Sequence, residues 1–210
     1  MYDLEEQEKI DTLKIWWNQN GRWVGGVIAA LAVGYAGYQG WHYYQRSQVS
    51  QAGALFEAVR TAAQQGDPAK TLQAAKTLQE AQPDSALAPR GALISAAVSH
   101  ANADNASTQA ELEWVIVHAK ESSLADLARL RKAGLLADDK KYEEALRLLE
   151  ENRGSDFAAL TADLRGDILL ALNRPNKARE AYRSAVEKTP TSDTLHQIAQ
   201  SKLEALGEPD

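Results

Sequence analysis

The side chains that could carry chemistry in this sequence are few and scattered. The four histidines, His42, His100, His118 and His196, stand apart. None has a second histidine one helical turn on, as a zinc site on a single helix requires. With no cysteine in the chain, thiolate catalysis, disulfides and cysteine-based metal sites are excluded. No glycine-rich phosphate loop, nucleophile elbow, kinase signature or dinucleotide fingerprint occurs. The tightest charge cluster, Asp138-Asp139-Lys140-Lys141, falls at an expected turn, where charge is there to be solvated. What remains is Asp163 and Asp167, one turn apart on one helix face. A pair of that kind suits recognition of a polypeptide, not bond making. The expectation is a non-enzymatic protein with no cofactor and no metal.

The elements that position these residues follow from composition. The 210 residues carry a net charge of -6, which removes the basic footprint that nucleic-acid binding needs. Alanine is about one residue in six, and that bias favours helices throughout. Charge is distributed unevenly: from Trp23 to Tyr44 no acidic or basic residue occurs. A helix from Trp23 to Trp41 would be about 28 Å long, close to the roughly 30 Å of a hydrocarbon core. Trp23 stands at one end, and Tyr38, Trp41, Tyr43 and Tyr44 at the other, as interfacial rings do. The expectation is a single transmembrane helix over residues 23–44. Lys9, Lys14 and Arg22 precede it and Arg46 alone lies close behind, so the N-terminus faces the cytoplasm and the rest is exported. Gly26, Ala30 and Gly34 set a stripe of small residues along the span, a docking face for another helix in the membrane. Ahead of the span, Ile10, Leu13, Trp16 and Trp17 make the apolar face of a short amphipathic helix against membrane lipid, ended by Asn18 to Gly21.

Residues 45–210 read as helical hairpins, with breaks at Gly66-Asp67-Pro68, Gln82-Pro83-Asp84, Asn102 to Asn105, Glu121 to Ser123, Asp138 to Lys141, Gly154-Ser155, Asn173 to Asn176 and Thr189-Pro190. In the clearest unit Gly166, Ala178, Tyr182, Ala185 and Pro190 stand at tetratricopeptide spacings. Small residues let the two helices close together, Tyr182 fills the gap to the next unit, and Pro190 stops the second helix. Ala133 and Ala145 repeat the plan one unit earlier, at the places of Gly166 and Ala178. Ala110 marks a weaker unit before that, and residues 50–82 a more degenerate pair. The fold class is therefore all-α: one N-terminal transmembrane helix, then a tetratricopeptide-like solenoid. The first helix of each pair lines the concave side of such a stack, where polypeptides dock. That places Asp163 and Asp167, and in the preceding unit Leu127, Leu130 and Asp138, in a mixed acidic and apolar groove.

Three stretches resemble the YfgM family, the ancillary subunit of the SecYEG translocon in Gram-negative bacteria. They are Trp16-Trp17 leading to Asn20-Gly21, the glycine-rich stretch closing on Trp41 to Tyr44, and Phe157 to Tyr182 with Asp163, Arg165 and Gly166. The resemblance implies a single-span inner-membrane protein with a cytoplasmic tail over residues 1–22 and a periplasmic repeat domain. It also implies partners: the SecYEG channel, a PpiD-like periplasmic chaperone, and newly exported client polypeptides passed between them. A repeat protein of this topology could equally be an assembly factor for another envelope complex, such as cytochrome maturation or cell-wall machinery. The aromatic pair with Asn-Gly and the Phe157 to Tyr182 stretch are the features that separate the two.

Overall fold

A computed structural model describes residues 2–152, 154 and 156–207; for residues 2–13, 28 and 44–48 it describes the backbone alone. The expected roles of Lys9, Ile10, Leu13, Tyr44 and Arg46, and of Ser155 in its turn, lie outside the described residues. Among those described, nine helices follow one another and no strand occurs: α1 (Tyr2–Gln64), α2 (Pro68–Ala81), α3 (Leu87–Ala101), α4 (Asn105–His118), α5 (Ser122–Asp138), α6 (Tyr142–Glu150), α7 (Ala158–Ala171), α8 (Pro175–Glu187) and α9 (Thr194–Ala205). The chain divides into two compact units, Met1–Ser50 and Gln51–Asp210.

The first unit is helix alone. The stop expected at Asn18 to Gly21 does not occur, because α1 runs through it. Asn20 turns its side chain back, Nδ2 donating to the Trp16 carbonyl at 3.1 Å. Gly21 leaves room for the Trp17 indole, whose Nε1 would be 3.2 Å from a Cβ there. Each residue is a weak helix former, but the cost is about 1 kcal/mol at most, and a long helix absorbs it. Among the described residues no helix is long and apolar enough to cross a membrane, which departs from the expected span over residues 23–44. α1 has the length. Five glycines, at 25, 26, 34, 37 and 40, together with Tyr35, Tyr38, Gln39 and His42, dilute its valine and leucine side chains.

The second unit is built on a repeat. Each of the eight expected breaks coincides with a junction between two successive helices, although Pro68, Asn105, Ser122, Ser123, Asp138, Pro175 and Asn176 belong to the helix ends beside them. Val59, Ala96, Ala133 and Gly166 recur once per pair, and all are buried where the first helix of a pair meets the second. Thr71, Thr108, Ala145 and Ala178 hold the next place in the same register, and Ala75, Leu112, Leu149 and Tyr182 the third; all are buried. The structure thus corrects one reading. Ala110 is exposed, and Thr108 occupies the place it was expected to hold. The hydroxyls of Thr71 and Thr108 each donate to the carbonyl four residues back, at 2.7 Å. A threonine so satisfied packs as a small residue would.

The turn inside each pair repeats as well. Gly66, Ala103, Lys140 and Asn173 all have φ between 57° and 68°, and they recur in step with the packing residues. The next residue's N–H then bonds five residues back: Asp67 to Ala62, Asp104 to Ser99, Lys141 to Leu136 and Arg174 to Leu169. This is the closing bond of a Schellman turn. Asp67 and Asp104 also cap the following helix, accepting from Lys70 N and Ser107 N at 3.0 Å.

One pair departs from the pattern. α6 stops at Glu150, so Asn152 stands where the other units bury Leu78, Val115 and Ala185. Its amide donates to the Asp126 carbonyl and to Thr161 Oγ1. The buried Asp126 carboxylate accepts from Gly154 N and Arg129 Nη1, both at 2.9 Å, and so ties the chain after α6 to α5.

Candidate functional site

The expected contact residues lie on the first helices of the last two pairs, α5 and α7. On α7, Asp163 and Asp167 are brought together, and both are bound from within. Lys202 of α9 donates to the two oxygens of Asp163 at 3.0 and 2.9 Å and to the Asp167 carboxylate at 2.8 Å. Tyr182 of α8 donates its hydroxyl to Asp167 at 2.8 Å. Burial lowers the Lys202 pKa, but the bonds to Asp167 and Asp163 prevail and hold it above its ordinary value. Burial, followed by the bond to Asp167, pushes the Tyr182 phenol well up, so it remains a donor.

Two further contacts fasten α9 beside this cluster. The buried Arg179 of α8 donates to the Leu206 and Gly207 carbonyls at 2.9 and 3.0 Å, capping the end of α9. His196 Nδ1 lies 3.2 and 3.1 Å from the Val186 and Thr189 carbonyls. Ala199 is buried against Ala162 and Ala185, and it follows Gly166 at the interval that separates Gly166 from Ala133. α9 therefore stands where the first helix of a further pair would stand. Lys202 was absent from the sequence reading. Carrying the interval between Ala133 and Gly166 one step further, to Ala199, was the signal that could have found it.

In the preceding pair, Leu127 and Leu130 are half-buried. Leu127 packs on the cluster of Leu112 and Val115, and Leu130 on that of Leu149 and Tyr182. Asp138, the last residue of α5, is exposed on the rim of a cleft of about 310 Å³ between α3 and α5. Thr108 and Leu112 line it from α4, with His100, Arg131 and Gly134 also on its walls. The packing residues Gly166, Ala145, Ala178, Tyr182 and Ala185 are buried between helices. In the first unit Gly26, Ala30 and Gly34 are exposed, and a Cβ on either glycine would meet nothing within 4 Å.

Chemistry is otherwise spent on structure. Among the described residues no group of three His, Asp or Glu could hold a metal ion. Asp104, four residues after His100, caps α4, and Glu121, three after His118, forms a two-point ion pair with Arg90 at 2.9 and 2.8 Å. The His118 ring stacks on Trp114, with centroids 4.4 Å apart. A buried carboxyl escaped the sequence reading: Glu111 of α4 accepts from Gln79 Nε2 of α2 at 2.7 Å. Burial raises its pKa to about 6, against smaller lowering effects of the Gln79 bond and the Lys76 charge.

A face of paired helices in a fixed register, with no assembled reactive group among the described residues, defines a helical-repeat binding scaffold. The family described as tetratricopeptide repeat-like domain matches residues 14–208. A Neisseria gonorrhoeae protein named "Ancillary SecYEG translocon subunit" is 30% identical over 204 residues, covering 97% of this chain and 98% of its own length. Proteins of the same name from Haemophilus influenzae and Escherichia coli are 28% and 25% identical, over 98% and 96% of this chain and 99% and 96% of their own lengths. Among solved structures, MamA 41-end from Desulfovibrio magneticus RS-1 shares the fold, with a TM-score of 0.54 and 18% identity, over 74% of this chain and 92% of that one. The chain belongs to the tetratricopeptide repeat-like family and, within it, to the YfgM proteins.

Proposed function

We propose that the protein is a non-catalytic, membrane-tethered adaptor that associates with the SecYEG translocon and with a PpiD-like periplasmic chaperone, helping newly exported polypeptides pass from one to the other. The observation that carries this reading is the similarity, over nearly the whole of both chains, to relatives named ancillary SecYEG translocon subunit. The repeat architecture supports it, since a stack of helix pairs offers an extended docking face and little else. Gentle detergent extraction and native co-purification test it. The translocon and the chaperone should accompany the full-length protein; a protein that runs alone overturns the adaptor reading.

We further infer that residues 23–44 cross the inner membrane, with residues 1–22 cytoplasmic and the repeat unit periplasmic. What supports the span is the absence of charge over Trp23 to Tyr44 and the exposed rings of Trp23, Tyr35, Tyr38, Trp41 and Tyr43, not high mean hydropathy. Gly26, Ala30 and Gly34 then offer their stripe to another helix in the bilayer. Because the native chain has no cysteine, a single introduced one is a unique reporter. Ser50→Cys should react with an impermeant maleimide outside spheroplasts, and Asn18→Cys only after lysis. Equal labelling of both would refute the topology.

A further inference from the structure

Glycine inside a helix is a poor choice unless packing or function requires it. In the second unit, Gly66 and Gly207 have positive φ. A Cβ on Gly91, Gly154 or Gly166 would stand 2.9 Å from Leu78 Cδ2, 2.5 Å from Asp126 Oδ2 or 2.3 Å from Tyr182 Cε1. Gly53 and Gly134 have neither reason, and Gly134 lines a cleft. Gly134 lies within α5, its φ is not left-handed, and a Cβ built on it meets nothing within 4 Å. The space its missing side chain leaves belongs to the cleft of about 310 Å³ between α3 and α5. Ala97 is as accommodating on the facing helix, and Leu135 supplies an apolar wall.

The rim is charged at both ends. Arg131 stands one turn before Gly134 and Asp138 one turn after it, both exposed. The side chain of neither makes an ion pair or hydrogen bond with another described residue. Seven residues apart on one helix, about 10 Å, they are too distant to bond to each other. A bare apolar cleft would accept a ligand in either direction, whereas opposite charges at its two ends fix one.

We propose that this cleft is a socket for one bulky apolar side chain of a polypeptide segment, which sets an acidic group against Arg131 and a basic group against Asp138. The socket rests on the reading that the repeat unit receives a polypeptide, and names what that polypeptide must carry.

The test uses the full-length protein in detergent and fluorescein-labelled synthetic peptides, read by anisotropy. Each peptide holds glutamate, phenylalanine and arginine in that order, with one to three residues between them. At least one spacing should bind, and replacing its phenylalanine by alanine or its arginine by glutamate should weaken it tenfold or more. Gly134→Phe, which fills the socket from within, should weaken it as much while leaving the melting temperature unchanged or raised. Ala97→Phe fills it from the opposite wall and serves should the first variant misfold. Exchanging the rim charges, Arg131→Asp with Asp138→Arg, should reverse the preferred order of charges in the peptide. A panel with no binder, or filled variants that bind as the native protein does, would overturn the socket. Co-purification with the translocon is scored separately: its retention beside a failed panel sinks the socket alone, and its loss beside a selective panel sinks the adaptor reading alone.

Discussion

A Cβ at Gly166 would lie 2.3 Å from Cε1 of Tyr182, so the glycine of α7 and the tyrosine of α8 fit only as a pair. The other units solve the same contact with different volumes: Ala133 with Leu149, Ala96 with Leu112, Val59 with Ala75. As the first member grows, the second shrinks. Total volume at the crossing is held while its division varies, which is what close-packed interiors require.

That exchange makes a double-mutant prediction. Gly166→Ala forces the Tyr182 ring aside and should cost about 1–3 kcal/mol by overpacking. Tyr182→Leu alone loses ring contacts and the bond to Asp167. Combined, the two substitutions recreate the Ala133 and Leu149 pair, and the double variant should melt well above the sum of the single losses. Additive losses in chemical denaturation would show that the pair is not coupled.

Where the repeat was legible in sequence, and where it was not, follows from the same substitutions. The last two pairs were readable because Gly166, Ala178 and Tyr182, and Ala133 and Ala145, keep the residue types the contact favours. The first two were blurred because Thr71 and Thr108 do a small residue's work, with hydroxyls satisfied on their own helix. The earlier units are also longer than the last, and a shorter period carried back from Ala145 falls on Ala110 instead of Thr108. All four turns inside the pairs were expected as breaks, yet at Ala103 and Lys140 the left-handed residue itself carries no signature, as Gly66 and Asn173 do. The aspartates of α7 were legible as a pair one turn apart on one helix. Their partner Lys202 was not, since a contact between helices so far apart in the chain leaves no local pattern.

Ala103 offers a stabilising prediction. Its φ of 58° puts Cβ against the backbone, a conformation that costs roughly 1–2 kcal/mol for a residue other than glycine. Gly66 relieves that strain at the equivalent turn. Ala103→Gly should therefore gain about 1 kcal/mol, less the greater freedom glycine has in the unfolded chain. A lowered melting temperature would mean the turn is not under strain.

Glu111 predicts a pH dependence. Its folded pKa, about 6, lies above the ordinary value of 4.5, so the folded chain binds the proton more tightly. The carboxyl's contribution to stability is most favourable below pH 4.5, is lost as pH rises to about 6, and stays lost above that. The difference corresponds to about 2 kcal/mol. Glu111→Gln keeps an acceptor for Gln79 and removes the titration. The variant should match the native protein in mild acid, below the ordinary carboxyl range, and exceed it by that full difference in mildly alkaline buffer. A constant difference across that range would assign the effect to something other than ionisation.

Lys202 decides whether Asp163 and Asp167 belong to the fold or to a partner. Its ammonium bonds to both carboxylates, and Asp163 is largely shielded from water. Lys202→Met keeps the apolar stem and leaves two like charges facing each other with only the Tyr182 hydroxyl to moderate one of them. Loss of charge-assisted bonds of this kind costs about 1–3 kcal/mol, and here it should be spent locally. Amides of α9 should exchange faster while those of α2 to α4 are unchanged, because Arg179 and Ala199 hold α9 independently against global unfolding. If the aspartates serve a partner, the same substitution frees them, and recovery of the translocon from detergent extracts should rise. Faster exchange with no change in recovery would assign the cluster to holding α9 in place. Unchanged exchange would mean that Arg179 and the apolar contact suffice, and that the ion cluster contributes nothing to docking the helix.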